Sequence, residues 1–168
     1  MLLEPLGLPF VNADVIAREL FPSSPEENSY LAAKVAEDLR TRLLLEGRSF
    51  CFETVFSHPS KIDFVAEARS RGYQVILVVI HLSTPVLNKA RVSQRVSEGG
   101  HLVPEHKIEV RIPRTLANLR TAIQLCDQVR VLDNSSWENP FVPVLTVRDG
   151  VMEAHVDPLP AWAATLLT

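Results

Sequence analysis

Tyr73-Gln74-Val75-Ile76-Leu77-Val78-Val79-Ile80-His81-Leu82 is the stretch that decides the fold. It is nearly all apolar and rich in β-branched side chains. A run of that kind reads as a central strand buried on both faces, the pattern of a parallel sheet. At this length it is far too short to cross a bilayer. Helical patterns flank it. From about Pro59 to Arg71, Ile62, Val65, Ala66 and Arg69 fall on one face, and Gly72 closes the segment. After the strand, Ser83-Thr84-Pro85 opens a helix running to about Glu98.

The alternation continues in both directions. Upstream, Phe10-Val11 is a short strand leading into Asn12-Ala13-Asp14 and a short helix through Val15, Ile16 and Leu20, broken at Pro22. Ser24-Pro25-Glu26-Glu27 predicts a helix start with Ser24 as N-cap and Glu27 closing a capping box. That helix carries Leu31, Val35, Leu39 and Leu43 as one apolar stripe and ends at Gly47. Phe50-Cys51-Phe52 is a second strand, stopping at Glu53-Thr54. Downstream, Gly99-Gly100-His101 is a turn, and a helix runs from Pro104 to about Cys126. Val129 to Leu132 is a strand ending in Asp133-Asn134-Ser135. A hairpin pairs Val144–Val147 with Val151–His155 through Asp149-Gly150, before a short C-terminal helix. Strands alternating with helices predict a three-layer α/β fold with a parallel sheet, in a single domain spanning residues 1–168.

The bulk properties narrow the function classes. The 168 residues are 46% hydrophobic and 22% charged, ordinary for a soluble globular chain. A net charge of -3 argues against a nucleic-acid platform, which needs clustered positive charge. Arginine far outnumbers lysine, and arginine suits a bidentate grip on phosphate. Cys51 and Cys126, the two cysteines, sit in no metal-ligand spacing, which fits a reducing compartment. The N-terminus lacks the basic region of a signal peptide. A cytoplasmic chain with no membrane segment is the expectation.

In parallel sheets ligands bind outside the carboxyl ends of the strands. Three strands here end in polar clusters: Asn12 with Asp14, Glu53 with Thr54, and Asp133 with Asn134. A helix cap or a plain turn would account for the first and last taken alone. Glu53 is harder to dismiss, because a carboxylate directly after Phe-Cys-Phe lies near buried surface and needs a partner. A second group is cationic. Arg91 and Arg95 share one helix face, as do Arg111 and Arg114 on the next, with the two glycines between. Such helices could form a lid over a transferring phosphoryl group, or a solvated face paired with Glu98, Glu105 and Glu109. For Arg91 the solvated face is the preferred reading.

Taken in order, Asn12-Ala13-Asp14, Phe52-Glu53-Thr54, Arg95-Val96, Gly99-Gly100-His101, Val103-Pro104, Arg111, Arg114 to Leu119, and Asp133-Asn134-Ser135 resemble the zeta-toxin-type P-loop kinases. The branch they most resemble is often described as predicted ABC-type ATPases. The resemblance implies an adenylate-kinase-like core that transfers the γ-phosphate of ATP, with Mg2+, to a hydroxyl of a small molecule. In well-understood zeta toxins that acceptor is a UDP-activated amino sugar. A cognate antitoxin protein is an implied partner. By position, Asp14 is similar to the general base, a role suited to a carboxylate at a strand end. Glu53 and Thr54 resemble the acceptor- and magnesium-side pair, with Asn12 and His101 also on the substrate side. Arg95 and Arg111 resemble the lid arginines, with Arg114 in reserve, and Asp133 and Asn134 fall near the nucleotide.

One feature of the family has no counterpart. Its members begin with a strand and the loop GxxxxGK[ST], whose backbone, lysine and hydroxyl hold the phosphates and magnesium. No Gly-Lys pair occurs here, and Lys34, Lys61, Lys89 and Lys107 all fall in predicted helices. The expectation is a fold lacking its first strand and phosphate loop, inactive in this form, from a frame starting further upstream or from a non-catalytic binding remnant. Two outcomes are expected where the strand belongs. Either the Phe50–Phe52 and Val75–Ile80 strands pair directly, or an open slot invites pairing with another chain.

Overall fold

The computed structural model describes residues 7–82 and 105–167. The helix expected from Ser83, with Arg91 and Arg95, and the turn containing His101 lie outside the described residues. The chain splits into two compact units, residues 1–55 with 92–102, and residues 56–91 with 103–168.

In the first unit, β1 (Phe10–Val11) pairs in parallel with β2 (Cys51–Phe52). The Cys51 amide donates to the Pro9 carbonyl at 2.9 Å and the Glu53 amide to the Val11 carbonyl at 3.2 Å. Helix α1 (Ala13–Leu20) starts directly after β1, and α2 (Ser29–Leu45) packs against it. The expected capping box does not form. Residues 25–28 are turn, because the Asn28 carboxamide folds back onto the Ser24 carbonyl at 2.9 Å and hydroxyl at 3.0 Å, occupying the groups a cap would use. The buried face of α2 is also not the leucine stripe. Leu31 and Leu39 are exposed, whereas Ala32, Ala36, Arg40, Leu43 and Leu44 are buried. Small alanines let a neighbouring backbone come close, and Leu31 and Leu39 turn outward. Val11, Ala36 and Leu43 form the core, with Ile16, Phe50 and Phe52 against it.

In the second unit, β3 (Ile76–His81) pairs in parallel with β4 (Gln128–Asp133). Antiparallel β5 (Val142–Arg148) and β6 (Val151–Ala154) continue the sheet, in order β3-β4-β5-β6. Asp149 and Gly150 both take positive φ, 51° and 76°, as a two-residue hairpin turn of the primed type requires. Among the described residues, three helices complete the unit: α3 (Ser60–Ser70), α4 (Glu105–Ile123) and the short α5 (Ala161–Ala164). Val79, Val129, Val131 and Leu145 from one sheet face form the core with Val65, Leu119, Ala122, Ile123 and Ala163. At the start of β4, the Asp127 carboxylate accepts from the Val75 amide at 2.7 Å and pairs with Arg69. That amide, then Arg69, hold its carboxyl below the usual range.

The decisive stretch is a strand, but it is not buried on both faces. Ile76 and Ile80 are 52% and 48% exposed, while Val79 between them is buried. β2 pairs with β1 and β3 with β4, leaving each with one partner among the described residues.

Candidate functional site

The first unit gathers four of the expected residues around one side chain. Asn12 takes an extended backbone, φ -136° and ψ 124°, as an N-cap must. Its Oδ1 accepts from the Asp14 amide at 2.8 Å and the Val15 amide at 3.2 Å. Its Nδ2 donates to Glu53 Oε2 at 2.9 Å, a contact between residues far apart in sequence. One carboxamide therefore starts α1, fixes the turn that carries Asp14, and ties down the carboxylate at the end of β2. Asp14 stands in that first turn, where the helix dipole favours negative charge. Asn12 and Asp14 are half-buried, and Glu53 and Thr54 are exposed. Glu53 bonds Asn12, but it is exposed, so burial is not what calls for a partner there.

Beneath this cluster lies a residue with no motif to announce it. Arg40 on α2 is 7% exposed, and its guanidinium sits 5.0 Å from the centroid of the Phe52 ring, next to Glu53. Burial pushes its pKa down from the usual arginine value. The contact is a cation–π interaction that backs the strand end carrying the acid.

In the second unit, Arg111 is half-buried and Arg114 exposed, one turn apart on α4. Asn118, in the same stretch, donates to the Phe56 carbonyl at 3.0 Å. Phe56 is buried with φ 61°, a strained backbone for a side chain of that size, and Asn118 helps hold it. At the carboxyl end of β4, Asp133 Oδ1 accepts from the Ser135 amide at 2.8 Å, and the Asn134 amide donates to the His81 carbonyl at 2.8 Å. No ion pair joins Arg111 or Arg114 to Asp133 among the described residues.

His81 itself was not singled out from the sequence. It faces Asp133 in register and stacks on Trp162 of α5, the rings 3.7 Å apart and 15° from coplanar. Its Nε2 is buried without a hydrogen-bond partner among the described residues. Burial lowers its pKa, with Asp133 opposing. A histidine closing an apolar run carries no signal of its own, and its partner lies 81 positions on. Asp133, Asn134 and His81 thus lie together at the carboxyl ends of β3 and β4, with Trp162 stacked on His81. Among the described residues no group of three or more His, Cys, Asp or Glu side chains could hold a metal ion. No described helix is long and apolar enough to cross a membrane.

Comparison with known proteins bears on the family and the fold. An uncharacterized protein of Haemophilus influenzae is 28% identical over 101 residues, covering 60% of this chain and 72% of that protein. A chain from the structural characterization of the PezAT chromosomal toxin–antitoxin system of Streptococcus pneumoniae superposes with a TM-score of 0.53 at 16% identity. The match covers 77% of this chain and 59% of that one, so it spans less than two thirds of that chain's length. At that identity the likeness establishes the fold, a mixed α/β architecture of P-loop kinase type. The model of the Zeta toxin family matches residues 18–139, a span holding Glu53, Thr54, Arg111, Arg114, Asp133 and Asn134 and starting just after Asp14. With that match over most of its length, the chain belongs to the Zeta toxin family.

Proposed function

We propose that this chain is the acceptor side of an ATP-dependent phosphotransferase that phosphorylates a hydroxyl of a small molecule, with a UDP-activated amino sugar as the first candidate. The observation that carries this is the Asn12 carboxamide, which places Asp14 and Glu53 together at the ends of paired parallel strands. Asp14 takes the proton of the attacking hydroxyl. Glu53, Thr54, Asn12 and His101 orient the acceptor. Arg95 and Arg111, with Arg114 behind them, offset charge on the transferred group, and Asp133 and Asn134 lie on the nucleotide side.

ATP and Mg2+ supply the phosphoryl group and its charge neutralisation in such a reaction. The residues described here do not fit the phosphate end of ATP: no Gly-Lys pair exists in the 168 residues, and no metal-binding carboxylate group stands among the described ones. No step is routed through either group. The chain is expected to bind acceptor without turning over ATP by itself. A cognate antitoxin is the partner this lineage suggests, and the cytoplasm its compartment.

The test is calorimetric titration of UDP-N-acetylglucosamine into the full chain. Saturable binding, weakened at least tenfold by Glu53→Ala and little changed by Asp14→Ala, supports the assignment. Binding lost in Asp14→Ala but untouched in Glu53→Ala would reverse the two roles. No binding at all would remove this acceptor class.

A further inference from the structure

The second unit's sheet holds a shallow cleft of about 930 Å³ that runs along β4, β5 and β6, from Gln128 and Arg148 at one end to Leu132 and Val142 at the other. Five steps of strand rise put about 16 Å between Gln128 and Asp133, so the Gln128 end of the cleft stands apart from the strand-end cluster. Gln128 forms its base and is 7% exposed. Cross-strand register puts Arg148 opposite Gln128 and Thr146 opposite Arg130. With its carboxamide oxygen turned toward them, Gln128 accepts from Arg130 Nε at 3.0 Å and from an Arg148 terminal nitrogen at 3.1 Å.

Two guanidinium groups thus converge on one neutral, buried oxygen. Each makes no ion pair among the described residues, although other surface arginines do, including Arg42, Arg69 and Arg71. Two carboxylates, Asp149 and Glu153, also line the cleft, and neither forms an ion pair with Arg130 or Arg148 among the described residues. Glu153 is 75% exposed along its side chain and lies 4.0 Å from His155 Nδ1, and Asp149 is exposed on the hairpin turn. Thr146 Oγ1 and His155 Nε2 are 2.9 Å apart. When His155 donates in that bond, the threonine hydroxyl proton is left to donate into the cleft. A glutamate at the base would have neutralised one of the two charges. Glutamine holds both arginines in place and leaves their charge and outer N–H groups uncommitted, the geometry that recognises phosphate.

We infer that this cleft binds a phosphate-bearing small anion between Arg130 and Arg148, with Thr146 as an additional donor. The site does not depend on the phosphotransferase proposal, since it shares no residue with it. The probes are inorganic phosphate and pyrophosphate, titrated into the full chain while the arginine Nε–H NMR signals are followed. Saturable shifts confined to Arg130 and Arg148 are expected, with pyrophosphate tighter if the physiological ligand carries a diphosphate and the two alike if it is free phosphate. Gln128→Glu places a carboxylate against both guanidiniums without losing volume, so it should stay folded and weaken binding at least tenfold. Arg148→Gln should do the same, and Arg71→Gln should leave binding unchanged. Undiminished binding in Gln128→Glu, equal weakening in Arg71→Gln, or shifts that never saturate would overturn the assignment.

Discussion

Asn12 offers the sharpest perturbation of the first unit, because its two side-chain functions can be removed separately. Asn12→Ser keeps an oxygen able to accept from the Asp14 and Val15 amides and loses the donor to Glu53. Asn12→Ala loses both. The cap is worth about 1 kcal/mol. A hydrogen bond to a carboxylate is worth roughly 1.5–3 kcal/mol when buried, but Glu53 is exposed, and solvent screening reduces the value to about 0.5–1 kcal/mol. Asn12→Ser should therefore cost about 0.5–1 kcal/mol and Asn12→Ala about 1.5–2 kcal/mol. Both tryptophans, Trp137 and Trp162, belong to the second unit, so their fluorescence is a poor reporter for this one. Amide hydrogen exchange at Asp14, Val15 and the rest of α1 reads the local free energy directly. In a double-mutant cycle, Asn12→Ala with Glu53→Ala should show about 0.5–1 kcal/mol of coupling, while Asn12→Ala with Thr54→Ala should show none. Equal exchange in the serine and alanine variants, or zero coupling to Glu53, would refute the clamp and leave Asn12 an ordinary cap.

Two further outcomes follow from buried titratable groups in the second unit. Burial lowers the His81 pKa, so the folded state prefers the neutral ring. Its stability contribution is complete above the unfolded value of about 6.5 and is lost as pH falls below it, where the unfolded chain takes up the proton first. His81→Phe keeps a ring against Trp162 and should flatten the fall in Tm between pH 7.5 and 5.5, and an unchanged slope would exclude His81 as its source. Burial, with Asp127 adding to it, pushes the Cys126 thiol up to about 11. At pH 8 that leaves on the order of a hundredfold less thiolate than an unperturbed cysteine carries, so iodoacetamide should label Cys126 far more slowly in the native chain than in urea. Equal rates would contradict it.

Much of the second unit could be read before its structure was known. The apolar run at Tyr73–Leu82, the strand before Asp133 and the hairpin at Asp149-Gly150 all form where periodicity and turn chemistry put them. What the run could not disclose is its exposure. An unbroken apolar strand looks the same whether both faces are covered or one, and the exposed Ile76 and Ile80 share their face with Gln128 and Arg130. The errors in the first unit are of another kind. Counting large side chains favoured the leucine stripe of α2, but close packing on α1 selects the alanine face. A local contest also went unseen, in which Asn28 takes the Ser24 groups that the capping box required.

The candidate site divides along the same line. Residue types at strand ends announced Asp14, Glu53 and Asp133, because carboxylates there are costly without a purpose. Partnerships between distant positions carry no such sign. Asn12 with Glu53, Arg40 with Phe52, and His81 with Trp162 join segments through tertiary placement alone. The consequence for Asn12 is specific. Its oxygen and one of its amide hydrogens are already engaged within the protein, so at most one N–H remains for an acceptor. An acceptor oxygen bound there would meet a donor whose direction Glu53 and the α1 amides have set in advance. Loss of the Glu53 contact should therefore weaken acceptor binding even in Asn12→Ser, where the helix cap survives.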